Sequence, residues 1–169
     1  MIFTAIQTPL TKVAHDLKQW LVRLELLEQK EEVPALIQQD LEGGLALFKD
    51  QSFDTVVLSQ TLQTIHQTER ILREVVRVGK QCVVSFPNFG HWSHRYAVAL
   101  GRMPVSKSLP YEWFNTPNVR VLTIADFEAL AHKLGIEILG RVVLHHGKTV
   151  HWLPNLFGSL AIYRVRGAK

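Results

Sequence analysis

Two short apolar runs separated by one amphipathic stretch constrain this chain more than any other feature. Phe53-Asp54-Thr55-Val56-Val57-Leu58-Ser59 is nearly all apolar, with β-branched residues at its centre, as in a strand buried on both faces of a parallel sheet. Ile71, Leu72, Val75 and Val78 then recur at helical spacing, and Gly79 suits the left-handed position that closes a helix. Gln81-Cys82-Val83-Val84-Ser85-Phe86 is a second strand candidate, stopped by Pro87. Strand, helix and strand at this spacing form a βαβ crossover, which predicts parallel strands and a right-handed connection. The fold class that follows is α/β.

The flanks extend this unit. On the C-terminal side, Thr123 and Asp126 form a capping-box-like pair ahead of Phe127, Leu130, Ala131 and Leu134, which line one side of a helix before Gly135. Residues 136–144 and 159–165 are two further strand candidates, and Gly147 and Pro154 in their connection suit an antiparallel edge hairpin. On the N-terminal side, Leu10, Val13, Ala14, Leu17, Leu21, Leu24 and Leu27 recur at three and four, which predicts an amphipathic helix that Pro34 prevents from continuing. Residues 33–38 are a short strand candidate closed by Gly43 and Gly44. The expected organisation is a divergent amphipathic helical segment over 1–32 and an α/β domain over 33–169.

Composition narrows the function. At 169 residues the chain is the size of one domain, and its single cysteine, Cys82, allows neither an internal disulfide nor a cysteine-built zinc site. No uncharged apolar run is long enough to span a membrane, and the start lacks the basic-then-apolar pattern of a secretory leader, so a cytoplasmic location is expected. The net charge of +4 permits an acidic partner. Its nearest approach to a cluster, Arg70, Arg73, Arg77 and Lys80, reads as a solvated helix face; without interleaved aromatics it disfavours nucleic-acid binding. No metal site is expected, because the histidines lack a helix-borne metal-binding pattern or a carboxylate grouping.

Residues 87–122 hold four prolines, many aromatics and little periodicity, and they leave the carboxyl end of a strand, where open parallel sheets bind ligands. Asn88, His91, Trp92 and Arg95 could wall a polar, aromatic pocket there. His91 and Arg95, four apart, would suit a carboxylate or phosphate. Glu112 and Trp113 could meet a substrate or form an exposed turn. Asp40, just past a strand candidate, could accept from a nucleoside amine or ribose hydroxyl, or could simply form a turn. Ser59 and Gln60 close the next strand at the same edge, with helix capping as the plainer role for Ser59.

At DLEGGLALFKDQSFDTVVLSQTLQ, REVVRVGK, VVSFPNFGHW, GRMPVSKSLPYEWFNTPN and TIADFEAL the chain resembles the methionine biosynthesis protein MetW family of class I methyltransferase-like proteins, over about residues 33–164. The resemblance implies a Rossmann-like methyltransferase sheet, S-adenosylmethionine as cofactor, and a role in methionine biosynthesis beside homoserine O-acyltransferase as a bound or activated partner. It places Asp40 and Leu41 at the turn that meets adenine, Ser59 and Gln60 at the end of the fourth strand, and Asn88, His91 and Trp92 in the family's post-strand block. The chain departs from the family at its start: no glycine precedes Gly43, so the first strand with its glycine-rich turn and the second strand, which ends in an acidic residue for the ribose, are both read as absent. Residues 1–32 read as a divergent lobe, or as the product of a shifted frame or start, and the sheet is expected to be incomplete in its N-terminal half. The implied alternatives are an active S-adenosylmethionine-dependent methyltransferase and a truncated, non-functional remnant.

Overall fold

The computed structural model describes residues 2–6 and 45–168. The predicted helix over 10–27, the strand candidate over 33–38, the division at residue 33, and Asp40 and Leu41 all lie outside the described residues.

The central crossover forms as the apolar patterning requires. Strand β2 (Phe53–Ser59) leads through a short 3-10 helix (Leu62–Thr64) into α1 (Thr68–Val78) and back into β3 (Gly79–Pro87). β2 and β3 pair in parallel, with Val57 opposite Val83 and Ser59 opposite Ser85. Ile71, Leu72, Val75 and Val78 form the buried stripe of α1. Strand β1 (Ile2–Ile6) pairs in parallel with the other side of β2. Five residues are too few to show a period, which is why the sequence leaves this strand inside its N-terminal segment.

Gly79 differs from its expected role. Its φ of −104° and ψ of 138° are extended, so the helix runs directly into β3 with no left-handed turn. A Cβ here would lie 2.7 Å from Val56 Cγ2, so the glycine serves the close approach of β3 to β2. Gly79→Ala is expected to cost about 1–3 kcal/mol, because the stiff Val56 must shift; an unchanged urea midpoint would count against that close-packing role.

Beyond β3 the chain forms α2 (Trp92–Ala99), α3 (Ile124–Lys133), β4 (Ile136–His145), the two-residue β5 (Lys148–Thr149), α4 (Pro154–Phe157) and β6 (Leu160–Gly167). Among the described residues the strands make one six-stranded sheet in the order β1-β2-β3-β6-β4-β5. The predicted antiparallel pair is present as β4 and β6, but the last strand is inserted between β3 and β4 and pairs antiparallel with both. Burial explains the order. Ala161, Ile162 and Tyr163 are consecutive and all buried, so β6 needs cover on both faces, whereas β4 exposes Glu137, Ile138 and Arg141 and tolerates a place nearer the edge.

Helix α3 begins with the predicted capping box, in which Asp126 N–H donates to Thr123 Oγ1 and Thr123 N–H to Asp126 Oδ2. It packs Phe127 against Phe86 and Tyr163, with ring centroids 5.0 and 4.6 Å away. Most basic residues of α1, and Lys80 just after it, are engaged by neighbouring groups. Arg77 bonds Glu74, Asp50 and the carbonyls of Leu45 and Phe48, Lys80 pairs with Asp54, and Arg70 donates to Gln67.

Candidate functional site

The parallel strands end on one edge, with Ile6 opposite Ser59 and Ser59 opposite Ser85. In such sheets the loops beyond the carboxyl ends form the ligand crevice. Ser59 is buried there; its carbonyl accepts from Thr61 Oγ1 at 3.0 Å and its hydroxyl lies 3.5 Å from that of Ser85. It caps no helix. Gln60 follows with φ of +50°, left-handed backbone that a non-glycine residue rarely adopts, held by its N–H donating to the Ser85 carbonyl at 2.9 Å. Its side chain is half-buried at the edge. Polar Gln63, one turn on, is buried with Oε1 unpartnered, while its carbonyl accepts from the N–H groups of Val119 and Arg120. The run Ser59-Gln60-Thr61-Leu62-Gln63-Thr64, polar straight after a buried strand, is the signal that could have marked Gln63.

The residues after β3 separate into two groups. Asn88 is fully buried and spends its amide on the backbone. Nδ2 donates to the carbonyls of Asn155 (3.0 Å) and Gly158 (2.8 Å), and Oδ1 accepts from Gly90 (3.0 Å) and Ile124 (3.3 Å). It joins β3, the start of α3 and the end of α4, leaving no hydrogen-bonding group for a substrate. His91 is also buried; it caps α2, with Nδ1 accepting from the Ser93 N–H. Trp92 and Arg95, in contrast, are exposed, and Arg95 Nε donates to the Gly90 carbonyl at 2.6 Å. Glu112 and Trp113 are exposed on the following segment, where the Glu112 N–H donates to Asn115 Oδ1 and Trp113 meets Phe114 edge-on.

Tertiary packing adds partners to His91 that the sequence does not show. Its ring stacks on His145 at 4.8 Å, with His94 at 5.7 Å, and His145 in turn contacts His146 at 4.2 Å. Burial, with His145, His94 and His146 close by, pushes His91 down to about 4. Burial also lowers His94 and His145. The Ser93 contact makes Nδ1 an acceptor, which assigns the proton to Nε2, a buried atom with no partner. Among the described residues no group of three or more His, Cys, Asp or Glu is arranged to hold a metal ion. No helix among them is long and apolar enough to cross a membrane.

Residues 20–165 match the family model described as "Methionine biosynthesis protein MetW". A curated relative, the "Bifunctional methionine biosynthesis protein MetXA/MetW" of Rhodopirellula baltica, is 40% identical over 105 residues, which make up 61% of this chain and 17% of that protein. The chain therefore spans under a fifth of the length of the relative it matches. Among solved structures, a SAM-dependent methyltransferase from Methanosarcina mazei aligns with TM-score 0.56 and 20% identity over 99% of this chain and 83% of its own. An S-adenosylmethionine-dependent methyltransferase from Clostridium acetobutylicum aligns with TM-score 0.53 and 11% identity over 99% and 75%. At such identities the likeness is one of fold: the chain has the Rossmann-like α/β sheet of these methyltransferases.

Proposed function

The chain belongs to the methionine biosynthesis protein MetW family, and from that premise we propose that it acts as a methyltransferase-fold partner of homoserine O-acyltransferase, which it binds or activates. The observation that carries this reading is the fused relative, whose single chain combines a MetXA part, read here as the acyltransferase, with a MetW part. A fusion holds two modules at an effective concentration of about millimolar, which is useful where one module works on the other. The test is to assay the acyltransferase from the same organism alone and with equimolar full-length chain. The expected result is a stoichiometric complex and a several-fold rise in kcat/KM. An acyltransferase that is neither retained nor activated by the chain rejects the reading.

A second reading, an S-adenosylmethionine-dependent methyltransferase, is favoured by one feature of the carboxyl edge. Gln60 holds a left-handed conformation at the strand end where such sheets take their ligand. S-adenosylmethionine would supply an activated methyl group, and the protein would position the acceptor in line with it. The described residues fit this cofactor only in part. The Gln60 side chain could donate and accept at the edge, but the Ser59 hydroxyl lies against that of Ser85. Calorimetric titration of the full chain decides. A Kd below about 100 µM, roughly −5.5 kcal/mol, supports cofactor binding, and a folded sample giving no heat rejects it.

A further inference from the structure

Eleven of the fifteen large hydrophobic residues exposed among the described residues fall within residues 92–121. Trp92 and Tyr96, one turn apart, flank Arg95 on the outer side of α2 while His94 is buried beneath. The segment continues through Met103 and Val105 to Trp113 and Phe114, which are 75% and 66% exposed. Isolated exposed apolar residues need no explanation, but so many in one stretch call for one, and a surface that meets a partner supplies it.

The stretch is held as a platform. Arg102 N–H donates to the Ala97 carbonyl, and Ser106 Oγ bonds His94 Nε2 at 2.9 Å. The far end is tied by the N–H groups of Val119 and Arg120 to the Gln63 carbonyl, and by Phe89 N–H to the Leu122 carbonyl. Its charge is one-sided: Arg95, Arg102, Lys107 and Arg120 face a single acid, Glu112. Trp, Tyr and Arg are the side chains that carry most interface energy, and aromatic centres with charged rims are the usual anatomy of a protein contact.

We infer that residues 92–121 form the surface on which the acyltransferase docks, an inference that rests on the partnership proposed above. The fused relative is the ground for the occupant, since the MetXA part is the neighbour that a MetW part has within one chain. By charge complementarity, the cationic side chains of the segment call for a partner that offers acidic groups beside an apolar contact. A second copy of this chain fits less well, because a two-fold contact would set one arginine-rich rim against another with only Glu112 to offset them. A membrane surface also fits less well, because α2 has eight residues and lacks the extended cationic face of interfacial helices.

The test uses the full chain and its own acyltransferase, with affinities measured by surface plasmon resonance. Two double variants, W113S/F114S and W92A/Y96A, remove exposed side chains, and Leu47→Ser, at an 85% exposed position outside the segment, is the control. Circular dichroism confirms that each variant is folded. W113S/F114S is expected to weaken binding by roughly 30-fold or more, as loss of a central aromatic anchor does, while the control binds like the unaltered chain. Arg102→Glu is expected to slow association and flatten its salt dependence. If the unaltered chain binds and both double variants bind equally well, the surface assignment fails while the partnership stands. If the unaltered chain does not bind, the partnership fails and takes the surface with it. Sedimentation showing a dimer that the same substitutions dissociate would reassign the surface to a second copy.

Discussion

Asn88→Asp is expected to destabilise the chain by about 3–5 kcal/mol, the usual cost of leaving an uncompensated charge in the interior. The substitution conserves shape, so no cavity forms, and the loss comes from reversed hydrogen-bond polarity. Nδ2 donates to the carbonyls of Asn155 and Gly158 at 3.0 and 2.8 Å, and a carboxylate oxygen in its place would face two acceptors with nothing to donate. The opposite oxygen still accepts from Gly90 and Ile124, so the damage falls on the junction between β3 and α4. Against a typical stability of about 5–15 kcal/mol for a domain, a large fall in the urea midpoint follows. A midpoint within error of the unaltered chain would show that the network does not hold the two elements together.

Acid is expected to unfold the chain early. The His91 imidazole ordinarily titrates at 6.5 and is held to about 4 by burial and by His145, His94 and His146. Because the folded value is the lower one, the unfolded chain takes up the proton first. The contribution of His91 is therefore intact above about pH 6.5, erodes as the pH falls, and is fully lost by about pH 4. The loss is on the order of 2–3 kcal/mol, allowing for partial solvent access, and His94 and His145 act in the same direction. The lowered carboxyls of Glu69 and Glu74 add their own losses only at lower pH. Urea titrations at several pH values between 7 and 4.5 read the effect. His91→Gln should flatten the profile, and a variant as acid-sensitive as the unaltered chain would exclude His91 as the cause.

The placement of several candidate residues was legible because it follows from local pattern. Ser59 and Gln60 end a buried strand, and the structure sets them at the carboxyl edge of the parallel sheet. Trp92, Arg95, Glu112 and Trp113 lie in an aromatic, proline-rich stretch, and the structure leaves all four exposed. Asn88 and His91 look the same in sequence as these neighbours, yet both are buried, one in a backbone network and the other at a helix cap. A polar side chain after a strand can face solvent or serve the backbone, and only the elements packed around it decide.

The amino-acid sequence by itself determined the α/β class, the paired strands β2 and β3 with α1 between them, the capping box of α3, and the existence of β4 and β6. Each of these rests on apolar period or on side chains a few residues apart, interactions that the chain makes locally. Tertiary structure alone decided that β6 sits between β3 and β4, that Gly79 serves strand packing, and that His91 stacks on His145, some fifty residues away. Sheet order depends on which apolar faces remain to be covered once the first strands have paired, and imidazoles distant in sequence meet only when that choice brings the strand end of β4 beside α2. Local periodicity carries no information about either.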